Sequence, residues 1–382
     1  MKLGIVRQRY TPYGGAERFV ERAIAALVER NVEIRVYTRR WPSTQATNVV
    51  PVICNPFHLG NWWRDASFAR AVRASLAADR PDVVQTHERI EGCDIFRAGD
   101  GVHRVWLEER RRTGSRFEGA KILANPYHRY VLDAEARVFA SPSLKAVICI
   151  SQMVKDDVKR HFAVPDDKLH VIYNAIDSRQ FSPAVRVDRD ATRAELGVTR
   201  DAVLFALVGS GYARKGVATA LRALAQLPRH ARLVVVGRDK DPGRYRRLAT
   251  ELKVAERVVF AGPQKDVRRF LGAADAFVLP TIYDPLSNAV LEALACGLPV
   301  VTSTRCGAGE LVEAFDAGNT CDAIDVRAIA AAMSRLLDAG ERERCGASAL
   351  TSVAALTPDA MSRRLLELYA ATLGRPDLVA GL

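Results

Sequence analysis

Short apolar runs alternate along this chain with longer segments whose apolar positions recur every third or fourth residue. The short runs read as buried strands and the longer segments as helices with one apolar face. In the first half, strands are predicted over 2–6, 32–38, 49–53, 82–86, 144–150 and 169–173. Helices are predicted over 14–30, opened by Gly14 and Gly15, and over 64–78. Ser151 directly follows an apolar run and reads as a helix N-cap. A polar, Asp- and Arg-rich stretch over 177–190 reads as a linker, and the pattern then restarts. Strands follow over 203–208, 232–236, 257–261, 276–279 and 299–302. Between them lie helices over 215–227 and 243–252, a short one ending at Gly272, and one over 287–295. The end is helical from 325 to about 373. Strands alternating with helices predict parallel sheets covered on both faces, hence an α/β chain. Two such series predict two Rossmann-like domains, 1–180 and 181–360, with a helix at about 360–382 packing back on the first. In such sheets ligands bind beyond the carboxyl ends of strands, and the cleft between the domains is the expected place.

Composition narrows the classes. With 382 residues, 48% hydrophobic and 26% charged, the chain can bury real cores and is no disordered tail. Its 56 Lys and Arg against 44 Asp and Glu give a net charge of +12, which predicts acidic partners: phosphates, nucleic acid or an anionic membrane surface. The N-terminus turns polar after Val6, too soon for a signal-peptide core. The longest charge-free stretch, 41–63, contains Pro42, Pro51 and Pro56 and cannot be a spanning helix. The 7 cysteines are scattered without a Cys-x-x-Cys pair, which argues against a disulfide framework or zinc site and fits a reducing compartment.

Candidate chemistry gathers just after predicted strands. Tyr13-Gly14-Gly15-Ala16-Glu17-Arg18 lets backbone approach a ligand at a helix N-terminus, or is merely a tight turn. It is not Gly-x-Gly-x-x-Gly, so a dinucleotide fingerprint is not supported. In Gly209-Ser210-Gly211-Tyr212-Ala213-Arg214-Lys215-Gly216, two cations at a helix start oppose the helix dipole, which a bound diphosphate would justify. The third cluster is the most specific. Asp284 precedes a helix and Glu292 lies inside it. Ser287 or Asn288 can cap that helix, its free N–H groups would face a phosphate, and Glu292 can accept the two hydroxyls of a ribose. Asp284 can accept sugar hydroxyls. Gly262-Pro263-Gln264-Lys265-Asp266-Val267 could offer backbone groups to a base, or be a common loop.

The order Gly-Gly-Ala-Glu-Arg, then Ile172-Tyr173-Asn174-Ala175-Ile176-Asp177, then Arg214-Lys215-Gly216, then acid-x7-Glu with Ala-x-x-x-Gly-x-Pro-Val, resembles the retaining GT-B glycosyltransferases of family 4 over nearly the whole chain. Tyr10 to Gly15, Arg35 to Thr38, Gly211 to Val217 and 233–240 look most like the lipopolysaccharide core heptose glucosyltransferase I group. The resemblance implies a hexosyl transfer, glucose from UDP-glucose onto an inner-core heptose, or another UDP-sugar and another glycolipid or polysaccharide acceptor. It implies that Gly14, Gly15 and Glu17 lie at the transferred sugar and diphosphate, and that Asn174 and Gly209 belong to the substrate site. Arg214 and Lys215 would neutralise the leaving diphosphate. Glu292 would hold the ribose, and Asp284, where the family has Glu, the sugar. The backbone of Leu286, Ser287, Asn288 and Ala289 would meet phosphate and sugar, and Arg238, Lys265 and Val267 the uracil. The family lacks a protein nucleophile, and a front-face displacement is implied in which the leaving phosphate helps deprotonate the acceptor. His87, after a strand, and Asp100 are the candidates for a direct catalytic role.

Asp239-Lys240-Asp241 and Asp188-Arg189-Asp190 superficially match a metal-binding Asp-x-Asp, but such pairs are frequent in loops. With Arg214 and Lys215 in place, no metal or other cofactor is expected. Residues 1–180 carry 29 Lys and Arg against 21 Asp and Glu. Within 101–130, Arg104, Arg110, Arg111, Arg112, Arg116, Lys121 and Arg129 interleave with Trp106, Phe117, Tyr127 and Tyr130. That mixture suits an anionic membrane or a phosphorylated lipid-linked acceptor, and predicts a cytoplasmic enzyme peripheral on the inner face of the inner membrane. A non-catalytic membrane- or nucleic-acid-binding protein is the alternative outside the class. No recognition motif accompanies the charge, so nucleic acid is the poorer partner.

Overall fold

The computed structural model describes residues 2–9, 32–41, 49–114 and 116–379. The helix expected over 14–30, with Gly14, Gly15 and Glu17, lies outside the described residues. The chain divides into two compact units, Met1–Ala175 with Pro358–Leu382, and Ile176–Thr357.

Among the described residues the first unit has a 7-stranded parallel sheet. Its strands are β1 (Lys2–Val6), β2 (Glu33–Thr38), β3 (Val49–Ile53), β4 (Val83–Thr86), β5 (Ile95–Ala98), β6 (Ala146–Cys149) and β7 (Leu169–Val171). They lie in the order β3-β2-β1-β4-β5-β6-β7. The second unit has a 6-stranded parallel sheet of β8 (Val203–Val208), β9 (Ala231–Val236), β10 (Val258–Gly262), β11 (Ala276–Leu279), β12 (Val300–Ser303) and β13 (Gly318–Cys321), in the order β10-β9-β8-β11-β12-β13. The central strands β4, β6, β8, β11 and β12 are buried throughout, because helices cover both faces of a parallel sheet. Each sheet reverses its winding once, between β1 and β4 in the first and between β8 and β11 in the second. The carboxyl ends of strands at such a reversal are the general place for a ligand in folds of this kind.

Three departures from the sequence reading have physical causes. β5 was not expected, since Ile-Phe-Arg-Ala is four residues long and carries Arg97; that arginine is buried and donates to Asn174 Oδ1 at 2.7 Å. β13, Gly-Asn-Thr-Cys, has no apolar run to announce it and lies at the sheet edge. The stretch over 177–190 is no open linker: a 3-10 turn at Pro183–Asp188 runs into a helix at Arg189–Glu195. Arg189 donates to the carbonyls of Gly272, Ala273 and Ala274, and Arg193, fully buried, to those of Ala273, Thr199 and Ala202. Both pair with Asp275, so the Arg189 charge of this stretch is spent inside the fold, at the C-terminus of the helix Arg268–Ala273.

The C-terminal end breaks into helices at Val326–Arg335, Ala339–Val353 and Pro358–Leu373. The last inserts Met361, Leu365, Leu366, Leu368 and Tyr369 into the core formed by Leu3, Ile5, Ile34, Val83, Ile95 and Ile148 of the first unit. The Tyr369 hydroxyl donates to Gln85 Oε1 at 2.7 Å on β4. Among the described residues no helix is long and apolar enough to cross a membrane.

Candidate functional site

In the second unit, the loops after β8 and β11 meet. Gly209 follows β8; a Cβ there would lie 2.9 Å from the Lys215 side chain, so the missing methyl lets that lysine lie flat along the backbone. Gly216 has φ +72°, and a Cβ would stand 1.9 Å from the Pro280 carbonyl oxygen, so only glycine fits the turn into the helix Val217–Leu224. The Arg214 carbonyl accepts from the Ile282 N–H at 2.8 Å and the Thr281 hydroxyl at 3.0 Å, which ties this loop to the one carrying Asp284.

The result is an ion cluster. Lys215, 7% exposed, donates through Nζ to Asp284 Oδ2, and Arg214 Nη1 lies 3.7 Å from the same oxygen. The Ser287 N–H donates to Asp284 Oδ1 at 3.0 Å. Burial alone would raise the Asp284 carboxyl; the Lys215 and Arg214 charges outweigh it and hold it below the usual carboxylate range. Asp284 is therefore a charged group that fixes the two cations as well as a candidate sugar acceptor, and the cluster keeps a net positive charge.

Ser287 corrects an expectation. It occupies the N-cap position of the helix Asn288–Ala295, but its hydroxyl does not cap. Its φ of +63° is the left-handed region, strained for a side chain with a Cβ. Its Oγ is buried without a hydrogen-bond partner among the described residues. A strained backbone and an unpaired hydroxyl beside a charged cluster are the features of a site built for a ligand. The Leu286 carbonyl is used by the Ala308 N–H at 2.9 Å, which fixes the loop. Asn288 and Ala289 form the first turn, whose N–H groups have no intrahelical acceptor, and Glu292 is buried one turn on.

The remaining candidates of this unit lie around the cluster. Arg238 is exposed after β9, and its backbone bonds the 209–211 turn, N–H to Ser210 Oγ at 3.1 Å and carbonyl to the Gly211 N–H at 2.8 Å. Lys265, exposed, and Val267, partly so, follow β10 at the sheet edge, two strands from the Lys215 strand. The Asp239 and Asp241 carboxylates are spent on backbone: Asp239 accepts from the Tyr212 and Asp241 N–H groups, and Asp241 caps the helix Pro242–Glu251. Asp190 pairs with Arg200. No group of three or more metal-ligating side chains occurs among the described residues.

In the first unit the candidates separate. Asp100, exposed after β5, lines a cavity of about 190 Å³ with Asp65, Glu88, Arg89, Tyr127 and Tyr130. His87, 5% exposed, is packed instead against the sheet. Gln85 Nε2 donates to His87 Nε2 at 2.9 Å while Gln85 Oε1 holds Tyr369, so the C-terminal helix fixes the imidazole through one glutamine. The next residue, Glu88, faces the cavity; burial raises its carboxyl, the Arg7 charge opposes this, and Asp100 and Asp65 add to the rise. Glu88 carried no motif in the sequence, and only its place one residue after His87 could have suggested it. Asn174 is tied to Arg97 after β7.

Burial, then the Arg97 and Arg7 charges, hold the His87 pKa far below its usual value, so the ring is neutral in the fold. The unfolded chain takes up a proton below about pH 6.5, the folded one does not, so stability must fall as pH drops through that value, by up to about 1.4 kcal/mol per pH unit for this group. His103, with its pKa pushed down to about 3 chiefly by burial, adds to the same slope. Denaturant titrations at pH 7.5 and pH 5 are expected to show this loss, and His87→Gln is expected to shrink it; an unchanged slope would refute a neutral buried His87.

Two family models match the chain, one on each sheet. "Glycosyltransferase Family 4" covers residues 13–180 and "Glycosyl transferases group 1" covers 188–351. The lipopolysaccharide glucosyltransferase WaaG of Escherichia coli is 28% identical over 308 residues, 78% of this chain and 79% of that protein. The lipopolysaccharide core biosynthesis glycosyltransferase LpsE of Rhizobium meliloti is 29% identical over 336 residues, 85% of this chain and 86% of that protein. A crystal structure of WaaG superposes with a TM-score of 0.78 at 23% identity, covering 100% of both chains. Anabaena HepE in complex with UDP-glucose superposes at 0.71 and 18% identity, covering 97% of this chain and 100% of that one. Two doubly wound parallel sheets, each answering to its own half of one enzyme family, place this chain among the group 1 and family 4 glycosyltransferases, on the GT-B fold.

Proposed function

We propose that this enzyme transfers glucose from UDP-glucose to an inner-core heptose of lipopolysaccharide, with retention and without a metal. The observation that carries the donor half is the cluster of Arg214, Lys215 and Asp284 beside the unpaired Ser287 hydroxyl, at the winding reversal of the second sheet. A diphosphate placed there meets two fixed cations and the N–H groups of Asn288 and Ala289. Negative charge grows on that diphosphate as the glycosidic bond breaks, so Arg214 and Lys215 stabilise the transition state more than the ground state. Asp284 holds both cations in place and offers its remaining lone pairs to sugar hydroxyls, and Glu292 takes the ribose. Arg238, Lys265 and Val267 border the uracil. HepE, a protein of the same fold, binds UDP-glucose, which supports this donor.

The likeness to WaaG and LpsE supports a lipopolysaccharide acceptor. Asp100, His87 and Asn174 belong to the acceptor side, with His87 acting as a neutral group held by Gln85. Retention follows if the acceptor hydroxyl approaches the face the diphosphate leaves, with a phosphate oxygen taking its proton. The helices His103–Thr113, Arg116–Ala124 and Pro126–Phe139 display exposed Arg104, Arg111, Arg112, Lys121 and Arg129, and Arg110 lies 5.6 Å over the Trp106 ring. This face meets the anionic inner leaflet from the cytoplasm and places the enzyme at its lipid-linked acceptor.

Binding of UDP to the native state alone must raise its stability, by about 2.7 kcal/mol at a hundred times Kd. Millimolar UDP is expected to raise Tm clearly in the native chain and negligibly in Glu292→Ala. No shift in the native chain would remove the donor assignment.

A further inference from the structure

We propose that a second surface of the first unit, formed by residues 53–64 with Arg9, Arg39 and Arg40, docks onto an anionic phospholipid bilayer. It extends the membrane reading of the helices at 103–139 and is tested separately from it. Apolar residues scattered singly on a surface mean nothing, but here Ile53 at the end of β3, Phe57 and Leu59 in the loop after it, and Trp62 and Trp63 in the first turn of the helix Asn61–Ala78 are all exposed. Phe57 is 73% and Leu59 66% exposed. The Phe57 and Trp63 rings pack edge to face, centroids 5.7 Å apart, so the cluster is organised while facing solvent.

Beside it, after the carboxyl ends of β1, β2 and β3, lies a cavity of about 430 Å³ lined by Arg9, Arg39, Arg40, Arg64 and His58, with no carboxylate among the described residues that line it. Arg39 is built in: it is buried and donates to Asn55 Oδ1 at 3.0 Å, the Pro56 carbonyl at 3.1 Å, Ser67 Oγ at 3.0 Å and the Arg64 carbonyl. It thereby folds the 55–58 loop around a positive charge, while its Nε is buried with no partner among the described residues. Arg64 pairs with Asp65, whereas Arg9 and Arg40 are exposed and have no ion-pair partner among the described residues. Aromatic rings with one wet edge next to exposed Arg9 and Arg40 match the boundary of an anionic bilayer, where rings sit at headgroup level and guanidinium groups meet phosphates. The surface is continuous with the basic helices, for Arg64 and Gln8 line both this cavity and the one that Tyr127 and Tyr130 line.

Tryptophan positions separate the two faces. The full chain is mixed with vesicles of phosphatidylcholine alone or with phosphatidylglycerol, lacking acceptor and donor, and quenching by brominated lipid is read. Strong quenching on the anionic vesicles is expected in the native chain, and in Trp62→Phe/Trp63→Phe it is expected to fall to the part that Trp106 carries. Failure of the 103–139 reading would show instead as undiminished quenching in Trp106→Phe. Arg9→Ala/Arg40→Ala is expected to weaken sedimentation with anionic vesicles, each arginine being worth about fivefold there. Circular dichroism of each variant establishes that it is folded. Full quenching in Trp62→Phe/Trp63→Phe, equal binding to neutral and anionic vesicles, or thermal stabilisation by inorganic phosphate without vesicle binding would overturn the proposal.

Discussion

Replacing Lys215 with methionine is expected to lower kcat by about a hundredfold or more, the loss typical of a preorganised group facing developing negative charge. The same variant is expected to lose about 3 kcal/mol of stability or more, because it leaves the buried Asp284 carboxylate without its closest counter-charge. Stability and activity can be separated. Lys215→Met/Asp284→Asn removes the stranded charge along with the lysine, so denaturant titration should return most of the lost stability while kcat stays down. Arg214→Ala, at a half-exposed side chain, should cost little stability and still reduce kcat/KM. A Lys215→Met enzyme of normal stability and normal kcat would show that the cluster neither holds the loop nor faces the leaving group.

Truncation after Thr357 is expected to unfold the first unit and leave the second folded. Met361, Leu365, Leu366, Leu368 and Tyr369 bury their side chains in the first sheet's core. Burial of such side chains stabilises by roughly 1.5–3 kcal/mol each, a sum comparable to the 5–15 kcal/mol that holds a domain together. Hydrogen exchange should show protection lost across β1, β4 and β6 and kept across β8 and β11. A smaller form of the same test is Tyr369→Phe. It strands Gln85 Oε1, costing about 1–3 kcal/mol, and loosens the glutamine that holds His87. Protection of β1 that survives truncation would contradict this dependence.

The sheets were legible because parallel strands buried on both faces leave continuous apolar runs, such as Val-Leu-Phe-Ala-Leu-Val in β8. β5 and β13 escaped because a buried arginine and a polar edge strand break that signal. The stretch at 177–190 looked like a linker because its Arg189 ends on carbonyls of a helix some eighty residues away, a pairing no local pattern reports. The candidate site was legible as separate charges. Arg214, Lys215 and Asp284 stand out by position, but that they share one carboxylate oxygen depends on the β8 and β11 loops meeting. Ser287 reads as a helix cap from its type, and only the fold shows its positive φ and a hydroxyl that makes no cap hydrogen bond. The arginine cavity at 9, 39, 40 and 64 was invisible, since its members are scattered over the ends of β1 and β2 and the start of the helix Asn61–Ala78.

The central claim is tested most directly by offering the enzyme UDP-glucose, UDP-galactose, UDP-N-acetylglucosamine and GDP-mannose with core-truncated lipopolysaccharide, and reading the new linkage by NMR in the presence of a chelator. The account predicts that UDP-glucose turns over best and yields an α-glucosyl heptose, the anomeric configuration of the donor, with no loss to the chelator. Best turnover with GDP-mannose, or a β-linked product from UDP-glucose, would contradict it.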